Sequence, residues 1–91
     1  MRLRWSDAAL VDLDRVFDFL AAKSLPAAHR AIRQLLAVPN ILTSNPSMGA
    51  IVEMLQSRQV RRLIVGSYEV RYHIVGETVE VLRVFHTRED R

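Results

Sequence analysis

The sequence contains no cysteine, which excludes a disulfide framework, a thiolate zinc site and a cysteine nucleophile, and suits a reducing compartment. Stability has to come from packing. Only three glycines and three prolines occur in 91 residues, too few for low-complexity or disordered segments. No stretch approaches the roughly 18 uninterrupted apolar residues of a membrane span. The opening Met1-Arg-Leu-Arg-Trp5 is followed by Asp7, Asp12, Asp14 and Asp18 instead of an apolar core, so it does not read as a secretion signal. A soluble, cytoplasmic protein is expected. There is no Gly-rich phosphate loop and no Gly-x-Ser-x-Gly elbow, and His29, His73 and His86 are dispersed along the chain. Neither hydrolase chemistry of the usual kind nor a metal or cofactor is expected.

What is present is globular: 49% hydrophobic and 25% charged residues, in a length that allows one domain, residues 1–91, around one modest core. At this size apolar burial only narrowly exceeds ordering entropy, so a partner covering one face would add to the working stability. Thirteen Lys+Arg against ten Asp+Glu give a net charge of +3. All but one of the thirteen, Lys23, are arginines, whose planar forks suit phosphate or carboxylate. The two halves of the chain carry similar charge, so any basic site must be assembled by folding.

Arg2-Leu-Arg-Trp5 alternates like a short strand and runs into Ser6, a helix N-cap residue. Leu10, Leu13, Phe17, Leu20 and Ala21 then recur at helical spacing, which predicts a first helix over about residues 7–23. Asp12, Asp14, Arg15 and Asp18 fall on its outer, acidic face, a solubilising or partner surface. Ser24-Leu25-Pro26 breaks the chain, and Ala28, Ala31, Ile32, Leu35, Leu36 and Val38 resume the period in a second, antiparallel helix. Pro39 should kink or end it, yet Ile41 and Leu42 keep the phase, which extends the helix to about Thr43. Residues 44–49, Ser-Asn-Pro-Ser-Met-Gly, form a loop.

Three strands follow: Val60 to Val65, Tyr68 to Val75 and Thr78 to Phe85. Gly66-Ser67 and Gly76-Glu77 place glycine first in two-residue links, as type II′ hairpins require. The implied register sets Leu63 opposite Val70, Ile74 opposite Val79, Tyr72 opposite Val81 and Tyr68 opposite Phe85 on the face that covers the helices. The other face receives Arg62 opposite Arg71, His73 opposite Glu80, Glu69 opposite Val84, and His86. Paired arginines repel unless Glu69 or an external anion relieves them, which makes this face the candidate site for a phosphate or acidic partner. Arg83 falls on the nominal core face, so either it snorkels at an edge or the register there differs.

The order strand, helical hairpin and antiparallel three-stranded meander is an α+β arrangement. With Asn45-Pro-Ser-Met-Gly49, Val60-Arg-Arg-Leu63, Tyr68-Glu-Val-Arg-Tyr72 and Leu82-Arg-Val-Phe-His86-Thr-Arg88-Glu-Asp, it resembles the RelE/ParE toxins of type II toxin–antitoxin systems over nearly its whole length. That superfamily comprises ribosome-dependent mRNA endonucleases, similar to RelE, and DNA gyrase inhibitors, similar to ParE, so membership leaves the mechanism to the site residues. The nucleases carry an arginine for the scissile phosphate in a strand that matches Tyr68-Glu69-Val70-Arg71-Tyr72. Glu69 stands in its place, and a carboxylate there reverses the electrostatic contribution. Thr87 follows His86 where those enzymes tend to have a Tyr or basic cluster.

The resemblance therefore implies a ParE-like, growth-inhibiting toxin that stabilises a plasmid or chromosome, traps gyrase without itself being an enzyme, and uses Arg61, Arg83, His86 and Arg88 at its target. The alternative is a ribosome-dependent mRNA endonuclease with His86 as acid or base, Arg62 and Arg71 on the phosphate, and Glu53 completing the set. A third reading is a degenerate toxin that only binds its antitoxin. A cognate ParD-like antitoxin is implied throughout, seated in the groove between the flank of the first helix and the sheet edge, with Leu10, Leu13 and Phe17 turned toward the sheet.

Overall fold

Ser6 both ends the first strand and starts the first helix. Its backbone is extended (φ −66°, ψ 161°), its Oγ accepts from the Ala9 amide at 3.0 Å, and its hydroxyl donates to the Leu82 carbonyl at 2.9 Å. One side chain thus caps α1 and ties its N-terminus to the last strand. The computed structural model describes residues 1–88. Its elements are β1 (Arg2–Trp5), α1 (Asp7–Ala21), α2 (Leu25–Ser44), β2 (Ala50–Leu55), β3 (Arg58–Val65), β4 (Tyr68–Val75) and β5 (Thr78–His86). Ser24 caps α2 through Ala27, with Pro26 in the first turn, and the helix runs through Pro39 to Ser44, as the phase of Ile41 and Leu42 predicts.

The five strands form one sheet in the order β1-β5-β4-β3-β2, with β1 parallel to β5 and all other neighbours antiparallel. The α+β reading holds, but the purely antiparallel three-stranded meander is replaced by a mixed five-stranded sheet. β2 lies between the loop and Val60, in a stretch for which the sequence pattern predicts no strand. Ala-Ile-Val-Glu-Met-Leu has no in/out alternation to announce a strand, and all six residues are exposed. Its turn, Gln56-Ser57, has positive φ at both residues (50° and 68°) without the Gly, Asn or Asp that normally signals such a hairpin. The two Gly-first hairpins are as expected, with positive φ at Gly66 (58°) and Gly76 (60°) and not at the residue after.

The register meets expectation up to the middle of β5 and then departs from it. Leu63↔Val70, Arg62↔Arg71, Ile74↔Val79, His73↔Glu80 and Tyr72↔Val81 are all paired as predicted. A bulge then leaves Leu82 as an extra residue, so that Arg71 meets Arg83, Val70 meets Val84, Glu69 meets Phe85 and Tyr68 meets His86. The expected Tyr68–Phe85 and Glu69–Val84 pairs are thereby corrected. One inserted residue exchanges the faces of everything beyond it. Arg83 and Phe85 move to the helix-free face, and His86 moves to the helix-covered one.

The core lies between the helices and one sheet face, where Ala9, Leu13, Val16, Ala31, Leu35, Val38 and Leu42 meet Tyr68, Val70, Tyr72, Val79, Val81 and Val84. The stripe of α1 is rotated from the predicted one. Ala9, Asp12, Leu13 and Val16 are buried, whereas Leu10 is exposed and Phe17 half-buried. In α2, Leu36 likewise faces solvent while Pro39 and Leu42 are buried. α1 ends at Ala21, two residues short of the predicted end.

At the far end of the sheet the Pro/Gly loop is fastened from below. The Tyr72 hydroxyl donates to the Pro46 carbonyl at 2.7 Å and accepts from the Gly49 amide at 2.8 Å. Arg61 donates to the carbonyls of Gly49 at 2.7 Å and Ser47 at 3.2 Å. Gly49 is required for its size, since a Cβ there would lie 2.5 Å from the Arg62 carbonyl oxygen and 2.9 Å from the Tyr72 ring. Gly49→Ala is therefore expected to lower stability by about 1–3 kcal/mol, read as a lower urea midpoint at unchanged slope. An unchanged midpoint would show that the loop is not clamped in this way.

Candidate functional site

The helix-free face is organised in three cross-strand rows. His73, Glu80 and Arg4 form the first, Arg62, Arg71 and Arg83 the second, and Ile64, Glu69 and Phe85 the third. Three guanidinium groups side by side repel one another, and the neighbouring rows answer that repulsion. The Arg71 Nε donates to Glu69 at 2.6 Å, Arg62 stands 3.8 Å from the same carboxylate, and Glu53 of β2 reaches Arg71 at 3.9 Å. The Phe85 ring carries the Arg83 guanidinium 4.9 Å and the Arg71 guanidinium 5.7 Å from its centroid, both within cation–π range. Glu69 is only 2% exposed, on a face without helices, because these long neighbours cover it. His73 is similarly buried and donates from Nε2 to Glu80 at 2.7 Å, while Arg4 meets the other Glu80 oxygen at 3.2 Å.

The third cation of the row is held from the opposite side of the sheet edge. β1 pairs with β5 only as far as Val81, so beyond that point the outer backbone of β5 would be unpaired. Two α1 side chains replace the missing strand. Asp12 accepts from the Val84 amide at 2.8 Å, and Arg15 donates to the Val84 carbonyl at 2.9 Å. The same Asp12 carboxylate accepts from Arg83 Nε at 2.8 Å and Nη2 at 3.1 Å, and from Arg15 at 3.3 Å. Burial alone would push Asp12 up. The hydrogen bonds from Arg83, Val84 and Arg15 and the Arg83 charge outweigh it and hold the carboxyl below its ordinary range.

His86 lies elsewhere. It packs edge-on against Tyr68 at 5.4 Å between centroids, accepts from the Arg88 amide at 3.1 Å through Nδ1, and helps line a cleft of about 520 Å³ with Arg15, Val16, Phe19, Lys23, Tyr68 and Arg88. The sequence-predicted candidates thus separate into three groups. Arg62, Arg71 and Arg83 share one row with Glu53 beside Arg71; His86 and Arg88 border the cleft under α1; Arg61 fastens the Pro/Gly loop. The expected union of His86 with Arg71 and Glu53 on one face is undone by the β5 bulge. Glu89 and Asp90, which close the sequence motif, lie outside the described residues. Asp12, counted with the outer acidic face in the sequence reading, is the important omission, although its spacing from Ala9, Leu13 and Val16 places it in phase with the buried stripe. Among the described residues no group of three His, Asp or Glu side chains could hold a metal ion, and no helix is long and apolar enough to cross a membrane.

The family model for the ParE toxin of the type II toxin–antitoxin system parDE matches residues 3–91. The chain belongs to the ParE toxin family. A solved structure of the chromosomal ParDE toxin–antitoxin system from P. aeruginosa is similar in fold to this ParE family member, with a TM-score of 0.78 and 22% identity over 94% of this chain and 95% of that one. No curated protein matches the sequence.

The Asp12 joint gives this ParE family member a defined pH response. A carboxyl whose pKa is lower in the folded state than in the unfolded one stabilises the fold above the unfolded value of about 3.9, and that contribution is lost as pH falls through the folded value. Wild-type stability is expected to fall on acidification from about pH 5 downward, with a shallower fall in Asp12→Asn. At neutral pH the variant should be less stable by about 3 kcal/mol or less, the lower end of the cost of breaking a buried pair, because Arg83 is half-exposed. Urea midpoints between pH 3 and 7 check this; parallel pH profiles for the two proteins would contradict it.

Proposed function

We propose that this chain is a growth-inhibiting toxin that acts in the cytoplasm on DNA gyrase, stabilises a cleaved-DNA state of that enzyme, and is neutralised by a cognate ParD-like antitoxin. Membership of the ParE family is the ground for the class of function. The observation that carries the choice of a binding over a cleaving mechanism is Glu69. Its buried carboxylate lies 2.6 Å from Arg71 Nε in the middle of the basic face, at the strand position where the RelE-like nucleases, by resemblance, present an arginine. A carboxylate there holds neighbouring cations in place and contributes no positive charge of its own to a phosphate undergoing attack.

The separation of His86 from Arg62 and Arg71 supports the same reading, since acid/base cleavage needs the proton-transfer group and the phosphate-holding groups around one reacting atom. Target contact is assigned to Arg83, His86 and Arg88, with Arg61 supporting them through the loop it fastens. The antitoxin is assigned to the cleft bordered by α1 and the end of β5, whose lining combines Phe19 and Val16 with Arg15, Lys23 and Arg88 and would accept an apolar segment bearing acidic residues.

Purified toxin incubated with gyrase and supercoilable plasmid is expected to abolish supercoiling and accumulate cleaved DNA, leaving ribosome-bound mRNA intact in a parallel reaction. Arg88→Glu is expected to require roughly tenfold more toxin for the same effect, equivalent to about 1.4 kcal/mol at the contact. Cut mRNA with gyrase unaffected would overturn the proposal in favour of nuclease chemistry.

A further inference from the structure

Arg62, Arg71 and Arg83 occupy consecutive register positions on β3, β4 and β5, an arrangement that costs stability unless it is compensated. The compensation lies mostly underneath. The carboxylate side chains of Glu69 and Asp12 are 2% and 3% exposed, whereas the side chains of Arg62, Arg71 and Arg83 are 48%, 32% and 47% exposed. A charged partner arriving from solvent therefore meets guanidinium groups first and the two buried carboxylates at greater distance. Glu53, 53% exposed, comes within 3.9 Å of Arg71, the central member of the row, and is an exposed carboxylate among these guanidinium groups.

The row is also ordered in advance. Glu69 holds Arg71 through Nε, Asp12 holds Arg83 through Nε and Nη2, and the Phe85 ring lies beside both guanidinium groups. Cations fixed in place before binding lose little side-chain entropy on contact with an anion. Neither the helices nor any other described element covers this face, and Ile64 beside it is half-exposed. A guanidinium has five donors and cannot be discharged at any physiological pH, so a linear array of three matches a ligand with regularly repeated anionic oxygens.

We infer that this row binds the phosphodiester backbone of DNA directly, so that the toxin grips the nucleic acid of its target complex as well as the enzyme. The choice of DNA among polyanions rests on the proposed gyrase target. Such contacts position the toxin without reading sequence, and their free energy comes largely from counterion release, which makes the affinity fall with salt in proportion to the number of phosphates neutralised.

The test is fluorescence anisotropy of a labelled DNA duplex of unspecified sequence titrated with the purified toxin across a range of salt concentrations. RNA of equal length and poly-glutamate serve as comparison ligands, and gyrase-mediated DNA cleavage is measured with the same preparations. Three phosphate contacts predict a log–log salt slope of about −3, at roughly −0.9 per phosphate. Arg62→Gln should bring it to about −2, Arg62→Lys should preserve it, and Arg30→Gln on the exposed surface of α2 should leave it unchanged. Arg62 is the position of choice because its replacement leaves Arg71 on Glu69, and circular dichroism of each variant confirms the fold. Absence of DNA binding at low salt, tighter binding of RNA or poly-glutamate, or an unaltered slope in Arg62→Gln would overturn the inference. Trapped gyrase without DNA binding would overturn the row's role and leave the gyrase reading standing, whereas the predicted DNA binding without any effect on gyrase would overturn the target and leave the row's role standing.

Discussion

The carboxylate of Asp12 is the joint on which the two layers of this protein depend. β1 stops pairing at Val81 because the chain must turn at Ser6 into α1, and the rest of β5 would otherwise present unpaired backbone groups at a sheet edge. Asp12 takes the Val84 amide and Arg15 reaches the Val84 carbonyl, so the helix supplies with side chains what the strand no longer supplies with backbone. An unmatched buried amide or carboxylate would cost about 1–3 kcal/mol or more; here each satisfies the other. The same carboxylate holds Arg83, and through Arg83 it links the helical layer to the charged face on the far side of the sheet.

The β5 bulge is the second constraint, and it works with the first. Leu82 is inserted at the level where β1 ends, and the insertion turns Arg83 and Phe85 toward the helix-free face and His86 toward the helices. Without it Arg83 would point into an apolar core and Phe85 would take the place of His86 beside Tyr68. With it, a row of three arginines stands over Glu69, and His86 is withdrawn to a cleft where it meets Tyr68 and Arg88. The arginine row and His86 thereby stand on opposite faces of the sheet.

Much of this was legible in the residues. Ser6 and Ser24 announced the helix starts, and the two-residue links at Gly66 and Gly76 announced two hairpins and set most of the register, including the Arg62–Arg71 pair that first marked the charged face. What was not legible has specific causes. The bulge at Leu82 has no Gly or other local signature, so period-2 counting carried the wrong face forward into Phe85 and His86. The strand Ala50–Leu55 lacks alternation because both its faces are exposed, and its turn obtains positive φ from Gln56 and Ser57. Asp12 was assigned to the solvated side because aspartate usually is solvated; its partners are Arg83 and Val84, more than seventy positions away, and no local pattern encodes that distance. The resemblance to RelE/ParE toxins supplied the family, and the positions of the candidate residues in the fold came from the geometry.

Amide hydrogen exchange at Val84 reads out whether side chains of α1 complete the hydrogen bonding of β5 where β1 ends. A backbone N–H on an unpaired sheet edge exchanges nearly as fast as in an unfolded chain, whereas one bonded to a buried carboxylate exchanges only when that part of the fold opens. Protection of the Val84 amide is expected to be comparable to that of its neighbours paired with β4, and to fall selectively in Asp12→Asn. Exchange of Val84 at the rate of an open edge in the wild-type protein would contradict it.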